Sequence, residues 1–224
     1  MNLAFVLTFL RQLAANNNTA WMQAHRDDYQ RARDQFAALV TEVLRQATPV
    51  APELADLTPA QVIFRLHKND RSQTDPEPYK RRFGSGLVPG GRHAERAGYF
   101  LALMPDGGSW LRAGRFTPTP AELAAIRQEI HYDGDAFHRV LRDPALLAHF
   151  PSGLDGTVAQ LTRPPRGYAA DDPDVAFLKL KSFGINSYFS DAEVLAPDFI
   201  GRVVARIAAA RPWVTFLNQA LGAE

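Results

Sequence analysis

The stretch FRLHKNDRSQTDPEPYKRRFG at 64–84 is where this sequence gathers side chains that bind charge. Between 65 and 96 stand eight basic residues, Arg65, Lys68, Arg71, Lys80, Arg81, Arg82, Arg92 and Arg96, against four acidic ones, in a chain of formal net charge +1. A guanidinium offers a planar fork of donors that matches phosphate or carboxylate oxygens, and an ammonium adds a compact charge. Arg65, Lys68, Arg71 and Lys80, with the phenol of Tyr79, are therefore a candidate anion site. His67 lies among them, and histidine is the residue type suited to proton transfer, so His67 and Tyr79 are the candidate acid or base for a substrate held by arginine. Two structural readings compete with these. The charges are solvated and paired, which contributes little, or buried arginines tie the bend to a sheet.

A second basic segment, RPPRGY at 163–168, is followed by Lys179 and Lys181. Its prolines restrict φ and present Arg163, Arg166 and Tyr168 with little entropy left to lose, which suits a binding edge and equally suits a rigid crossover. Arg163, Arg166, Lys179 and Lys181 join the candidate ligand-binding set. Other chemistry is poorly supported. Gly84, Ser85 and Gly86, with Gly90 and Gly91, lack both the Gly-Lys-Ser/Thr and the GxGxxG pattern and read as a mobile loop, and Ser85 lies in no GxSxG elbow. The six histidines form no HExxH and no compact ligand pair, so no metal and no cofactor is expected.

Composition narrows the classes further. With no cysteine, thiolate nucleophiles, thiolate metal sites and disulfides are excluded, in keeping with a reducing, cytoplasmic setting. The N-terminal apolar run lacks a basic lead and is interrupted by Arg11, so it reads as a helix rather than a signal peptide, and no run is long enough to span a membrane. A balanced net charge argues against extended phosphate tracking. Nucleic-acid binding, with Trp110, Tyr79 or Tyr168 stacking on bases, stands second to an anionic small molecule.

These residues must be placed by the elements around them. Val6, Phe9, Leu10 and Leu13 recur at helical spacing, and the run Asn16, Asn17, Asn18 ends that helix and caps a second, in which Trp21, His25, Tyr29, Phe36, Val40 and Val43 share a face. Residues 62–67 read as a strand that puts Phe64 and Leu66 on one face and Arg65 and His67 on the other. Two strands, 98–104 and 109–116, flank the turn PDGG and form an antiparallel hairpin. TPAE at 119–122 and SDAE at 190–193 have capping-box spacing, the first opening a helix over 120–130. Further helices are expected over 134–150 with a break near Pro144 and from Asp172 to Lys179, with short strands at 158–162 and 185–189. A C-terminal helix bears Ile200, Val203, Val204 and Ile207 on one face and breaks at Pro212. The pattern lacks βαβ alternation and predicts an α+β fold, a mainly antiparallel central sheet with N-terminal and C-terminal helices packed on it, in one domain over 1–224.

Arg65, His67, Lys68, Arg71, Pro78, Tyr79 and Lys80 resemble the signature R-x-x-R-D-x-R-F followed by K-x-P-Y-K, with Lys68 in place of the second arginine. That signature marks the bacterial family named domain of unknown function 2461. Asn17, Asn18, Trp21 and Tyr29, the Gly98–Tyr99 pair, Pro118 with Leu123 and Arg127, the RPPRGY segment, Lys179, Lys181 and the ending Phe216, Leu217, Asn218 agree as well. The resemblance thus spans nearly the whole chain. Asn69, Ser72 and Pro76 depart from the family's aspartate, phenylalanine and lysine, with Asp70 next to the first. The resemblance supplies no reaction. It implies that Arg65, Arg71, Tyr79 and Lys80 serve an anion site, a role that outlasts loss of the aspartate better than a base or a metal ligand would.

Overall fold

The computed structural model describes residues 1–68, 77–154 and 159–222. It is an α+β fold with helices packed on a four-stranded antiparallel sheet of order β1-β2-β3-β4. The chain divides into two compact units: Met1–Ala94 with Phe100–Leu111 and Tyr188–Ala205, and Glu95–Tyr99 with Arg112–Ser187 and Arg206–Glu224. Among the described residues no helix is long and apolar enough to cross a membrane.

In the first unit, α1 (Leu3–Ala15) buries Val6, Phe9, Leu10 and Leu13, the face that the periodicity marks. The expected second helix is two. α2 (Thr19–Ala24) is capped by the Asn18 side chain, which accepts from Trp21 N–H, and α3 (Arg26–Ala47) follows a break at His25. α3 packs on α1 and buries Phe36, Leu39, Val40 and Val43. After a 3₁₀ turn at Pro52–Leu54 comes α4 (Pro59–Val62), then β1 (Phe83–Leu87), and later α9 (Asp191–Leu195), opened by the Ser190–Glu193 capping box. The rings of Phe9, Tyr29 and Phe36 lie 5.5–6.3 Å from that of Phe83, a rigid aromatic block against which the nearby clefts are built.

Two expectations fail here. Residues 62–67 are not a regular strand. Thr58 and Pro59 start a helix whose Gln61 side chain reaches back to accept from Thr58 N–H at 2.9 Å, and this local cap overrides the β-branched run. Beyond it the chain is extended but makes only isolated antiparallel bridges, Ile63 with Ser85 and His67 with Tyr79. Nor is the glycine segment a mobile loop. FGSGL is β1, with Ser85, Gly86 and Leu87 buried. A Cβ on Gly86 would stand 3.1 Å from Phe64 Cζ and 3.2 Å from Phe100 Cε1, so the missing side chain is what lets those rings lie on the strand.

In the second unit, α5 (Pro120–Tyr132) carries the expected capping box, in which Thr119 and Glu122 satisfy each other's N–H groups, and Arg115 grips Glu122 at 2.9–3.0 Å. α6 (Gly134–Leu141) and α7 (Pro144–His149) divide at Pro144 as the sequence predicts, and α8 (Val175–Leu178) is shorter than the expected helix. The expected 158–162 strand reduces, among the described residues, to a bridge between Gln160 and Leu180. Phe137 is the hub of this core, with Phe177, Phe216 and Trp213 rings 4.9, 5.8 and 6.1 Å away.

The hairpin forms as expected, as β2 (Gly98–Leu103) and β3 (Ser109–Arg115), and β4 (Phe183–Phe189) completes the sheet. The close approach of β3 to β4 requires glycine. Gly114 has φ +133°, and a Cβ there would lie 2.0 Å from the Phe183 carbonyl oxygen. Pro212 does not break the last helix: α10 (Phe199–Ala220) runs through it. Proline removes one N–H donor, but Pro212 itself is exposed while Trp213, Val214, Phe216 and Leu217 beyond it are buried, and that burial carries the helix past the lost bond.

Candidate functional site

The basic bend is held from the turn between α1 and α2. Asn17 Oδ1 accepts from Tyr79 N–H at 3.1 Å while its Nδ2 donates to Tyr79 C=O at 2.9 Å and to Glu77 Oε2 at 3.1 Å, so one amide side chain stands in for a strand partner. On the other side the Lys68 N–H donates to Pro78 C=O and the Lys80 N–H to Leu66 C=O, both at 2.9 Å. The segments on either side of residues 69–76 are thereby pinned side by side.

Most of the cations are committed within this frame. Glu77 pairs with Arg81, whose Nε donates at 2.9 Å, and lies 3.7 Å from Lys68 Nζ. Lys80 turns its ammonium back on the bend and donates to Arg65 C=O at 2.8 Å, 5.8 Å from the centre of the Phe64 ring. Burial, with the charge of Arg82, lowers the pKa of Lys80 below the usual lysine value. Arg82 lies over Trp110 at 5.8 Å. Arg71, the remaining predicted ligand of this bend, lies outside the described residues, as do Asn69, Asp70, Ser72 and Pro76.

Arg65 is the exception. Its guanidinium is exposed, makes no ion pair or hydrogen bond among the described residues, and lines a cleft of about 350 Å³ with Tyr29, Arg33, Asp34, Phe64, Phe83 and Arg92. Arg33 likewise makes no side-chain pair among the described residues. Arg92 uses one terminal nitrogen to cap the end of α4, donating to Ala60 C=O at 2.6 Å and Gln61 C=O at 2.7 Å, which leaves the rest of its fork. Among the described residues Asp34 is the only carboxylate lining the cleft, and it accepts from Gln30 Nε2 at 2.8 Å. Three guanidiniums therefore face one carboxylate above a floor of Phe64, Phe83, Ile63 and Ala37. Arg33 and Tyr29 were not singled out for this site by sequence. Their signal was present, since Tyr29, Arg33 and Ala37 recur every four residues along one edge of α3.

His67 and Tyr79 belong to a neighbouring cleft of about 270 Å³, lined also by Met22, Gln23, Arg26, Tyr29 and Leu66. Strand parity puts Arg65 and His67 on one face; both are exposed, but without a regular strand they serve different clefts. The two rings meet edge to face at 5.3 Å. His67 Nδ1 lies 2.6 Å from the Lys68 carbonyl, which can only accept, so Nδ1 carries the hydrogen and in the neutral ring Nε2 is left as an acceptor.

The second basic cluster lies in the second unit. Arg163, Arg166 and Lys181 are exposed, Lys179 is half-buried, and none of the four has an ion-pair partner among the described residues. Tyr168 rests edge-on to His131 at 5.4 Å, and burial, assisted by Asp172 and opposed by Arg127, raises its pKa. Arg127 is structural, donating to Leu178 C=O at 2.7 Å and Leu180 C=O at 3.0 Å, and so fixes the backbone around Lys179. Two histidine–aspartate pairs, His131 with Asp172 at 2.8 Å and His138 with Asp174 at 2.6 Å, anchor the loop before α8. No sequence spacing announced them.

The chain belongs to the family described as conserved hypothetical protein (DUF2461), whose model matches residues 5–216. No curated protein and no solved structure matches the chain.

Proposed function

We propose that the first unit binds a small phosphate- or carboxylate-bearing molecule in the cleft bounded by Arg33, Arg65 and Arg92. The observation that supports this is the pair of uncommitted guanidiniums, Arg33 and Arg65, brought to one concave site from residues distant in sequence. A protein gains little stability from holding two unpaired arginines together, whereas an oxyanion accepts from both forks. Lys80 contributes by fixing the Arg65 backbone, and Lys68 by anchoring the bend through Glu77. Arg163, Arg166, Lys179 and Lys181 form a separate candidate edge. A cytoplasmic protein without cysteine fits the same reading.

Titration calorimetry with inorganic phosphate, pyrophosphate and citrate at low salt tests it. At least one binds; Arg65→Ala weakens it about tenfold or more, the loss of one charge-assisted contact, while Arg81→Ala, whose partner is Glu77, changes it little. Absence of binding by all three, or equal affinity in Arg65→Ala, would overturn the reading.

A second reading, an enzyme with His67 as acid or base, is favoured by one observation: the imidazole is exposed in a cleft with Nε2 unspent. Turnover lost in His67→Gln with ligand affinity retained is its expected signature, and retained turnover refutes it.

A further inference from the structure

The arginine cleft has a neighbour of opposite character. Tyr29 is a wall of both clefts, and consecutive residues of one extended segment divide between them, Arg65 lining the first and Leu66 and His67 the second. The second cleft is floored by buried Met22 and Leu66 and flanked by the half-buried rings of Tyr29 and Tyr79, while its polar residues, Gln23, Arg26 and His67, are all exposed. Its walls are fixed. Tyr29 stacks on Phe83 at 6.3 Å and 15°, and the backbone of Tyr79 is clamped by Asn17.

Size also links the two. Small-molecule sites commonly enclose roughly 300–1,000 Å³. At about 350 and about 270 Å³, each cleft alone stands at the small end of that range or below it, and the pair together lies well inside. The hydroxyl of Tyr29, which lines both clefts, has no hydrogen-bond partner among the described residues.

We infer that the ligand is bipartite: a phosphate or carboxylate head held by Arg33 and Arg65, and an aromatic body that passes Tyr29 into the cleft of Met22, Leu66 and Tyr79. The aromatic walls Tyr29 and Tyr79 favour a flat ring there, since ring–ring contacts add to simple burial. The inference rests on the anion-site reading and adds what selects among anions. Inorganic phosphate fills only the first cleft; an aryl phosphate fills both.

The test is calorimetry on the full chain with inorganic phosphate and phenyl phosphate in parallel. Phenyl phosphate binds at least about tenfold tighter, from burial of its ring. Gln23→Trp, a substitution at an exposed position of α2, blocks the second cleft and removes that gain without changing affinity for inorganic phosphate. Tyr79→Ala, which deletes a wall, is the second variant and likewise reduces the gain. Arg65→Ala weakens both ligands. If inorganic phosphate binds and phenyl phosphate binds no tighter, or if both cleft variants retain the gain, the bipartite inference is overturned and the anion site stands. If neither ligand binds, both fall.

Discussion

Replacing Gly86 with alanine tests how the arginine cleft is built, with Gly84 two residues away on β1 as its control. At Gly86 a new Cβ would meet Phe64 Cζ at 3.1 Å, Phe100 Cε1 at 3.2 Å and Arg92 Cβ at 3.4 Å. Carbon atoms pack best at roughly 3.5–4.0 Å, so all three must give way by tenths of an ångström, and Phe64 and Arg92 are walls of the cleft. At Gly84 the nearest atoms, Leu101 O and Phe64 Cδ2, are 3.7 Å away, an ordinary contact. Overpacking a core costs about 1–3 kcal/mol, while stiffening the unfolded chain by Gly→Ala returns about 0.4–1 kcal/mol. Gly86→Ala is therefore expected to lose about 0.5–2 kcal/mol and Gly84→Ala to be neutral or slightly stabilised. For a chain of this length 1 kcal/mol moves Tm by roughly 2–4 °C, so Gly86→Ala should melt about 1–8 °C below wild type, and Gly84→Ala at or slightly above it, by circular dichroism. Gly86→Ala should also bind phosphate more weakly, because Phe64 and Arg92 are displaced. A Gly86→Ala protein as stable as wild type, or a Gly84→Ala protein less stable than Gly86→Ala, would refute the packing argument.

Asn17→Ala removes the amide that pairs with both backbone groups of Tyr79; a loss of about 1–3 kcal/mol is expected, with faster hydrogen exchange at the Tyr79 amide as the local readout. Pro212→Ala restores an N–H donor in the middle of α10 at an exposed position, and should stabilise the protein by about 1–3 kcal/mol in urea unfolding. Burial alone would raise the pKa of Glu122, but hydrogen bonds from Arg115 and Thr119 and the charge of Arg115 outweigh it and hold the carboxyl below its ordinary value. Its charged form is thus favoured by folding. The resulting stability is full above about pH 4.3, the unfolded value, and is lost as pH falls through the lower folded pKa. Glu122→Gln should accordingly cost stability at pH 6 to 7 and approach wild type as the pH falls through the lowered folded pKa in acid unfolding.

The helices were legible because their signals are local. Capping boxes at Thr119 and Ser190, the Asn18 cap and the apolar face of α1 each act within about four residues, and each forms where the sequence places it. The misread elements are those whose outcome depends on distant atoms. FGSGL, with two glycines, offers little strand propensity, and only its tertiary setting in β1 shows why Gly86 is bare: the rings of Phe64 and Phe100 lie against it. Pro212 stops an isolated helix, but the buried residues after it decide otherwise. One signal was local and was passed over. Thr58, Pro59 and Gln61 form a capped helical start that turns the expected 62–67 strand into a helix end and an irregular extended segment.

The same division between local and distant effects explains why a basic stretch in a sequence is not yet a basic site. The bend is rich in cations largely because it must be held: Arg81 and Lys68 answer Glu77, Lys80 answers a carbonyl of Arg65, and Arg92 caps α4. Once those are spent, Arg65 is the described cation of the bend that still faces the cleft with its full fork, and its charge is doubled from outside the bend by Arg33 on α3. Counting charges along the chain therefore points to the bend and not to the individual guanidinium. Anion affinity depends on which guanidiniums remain unspent after folding, which a count along the chain does not report. An arginine moved elsewhere on the bend would restore the count without restoring the site, and for that reason Arg65→Ala and Arg33→Ala should each weaken phosphate binding far more than Arg81→Ala or Arg82→Ala.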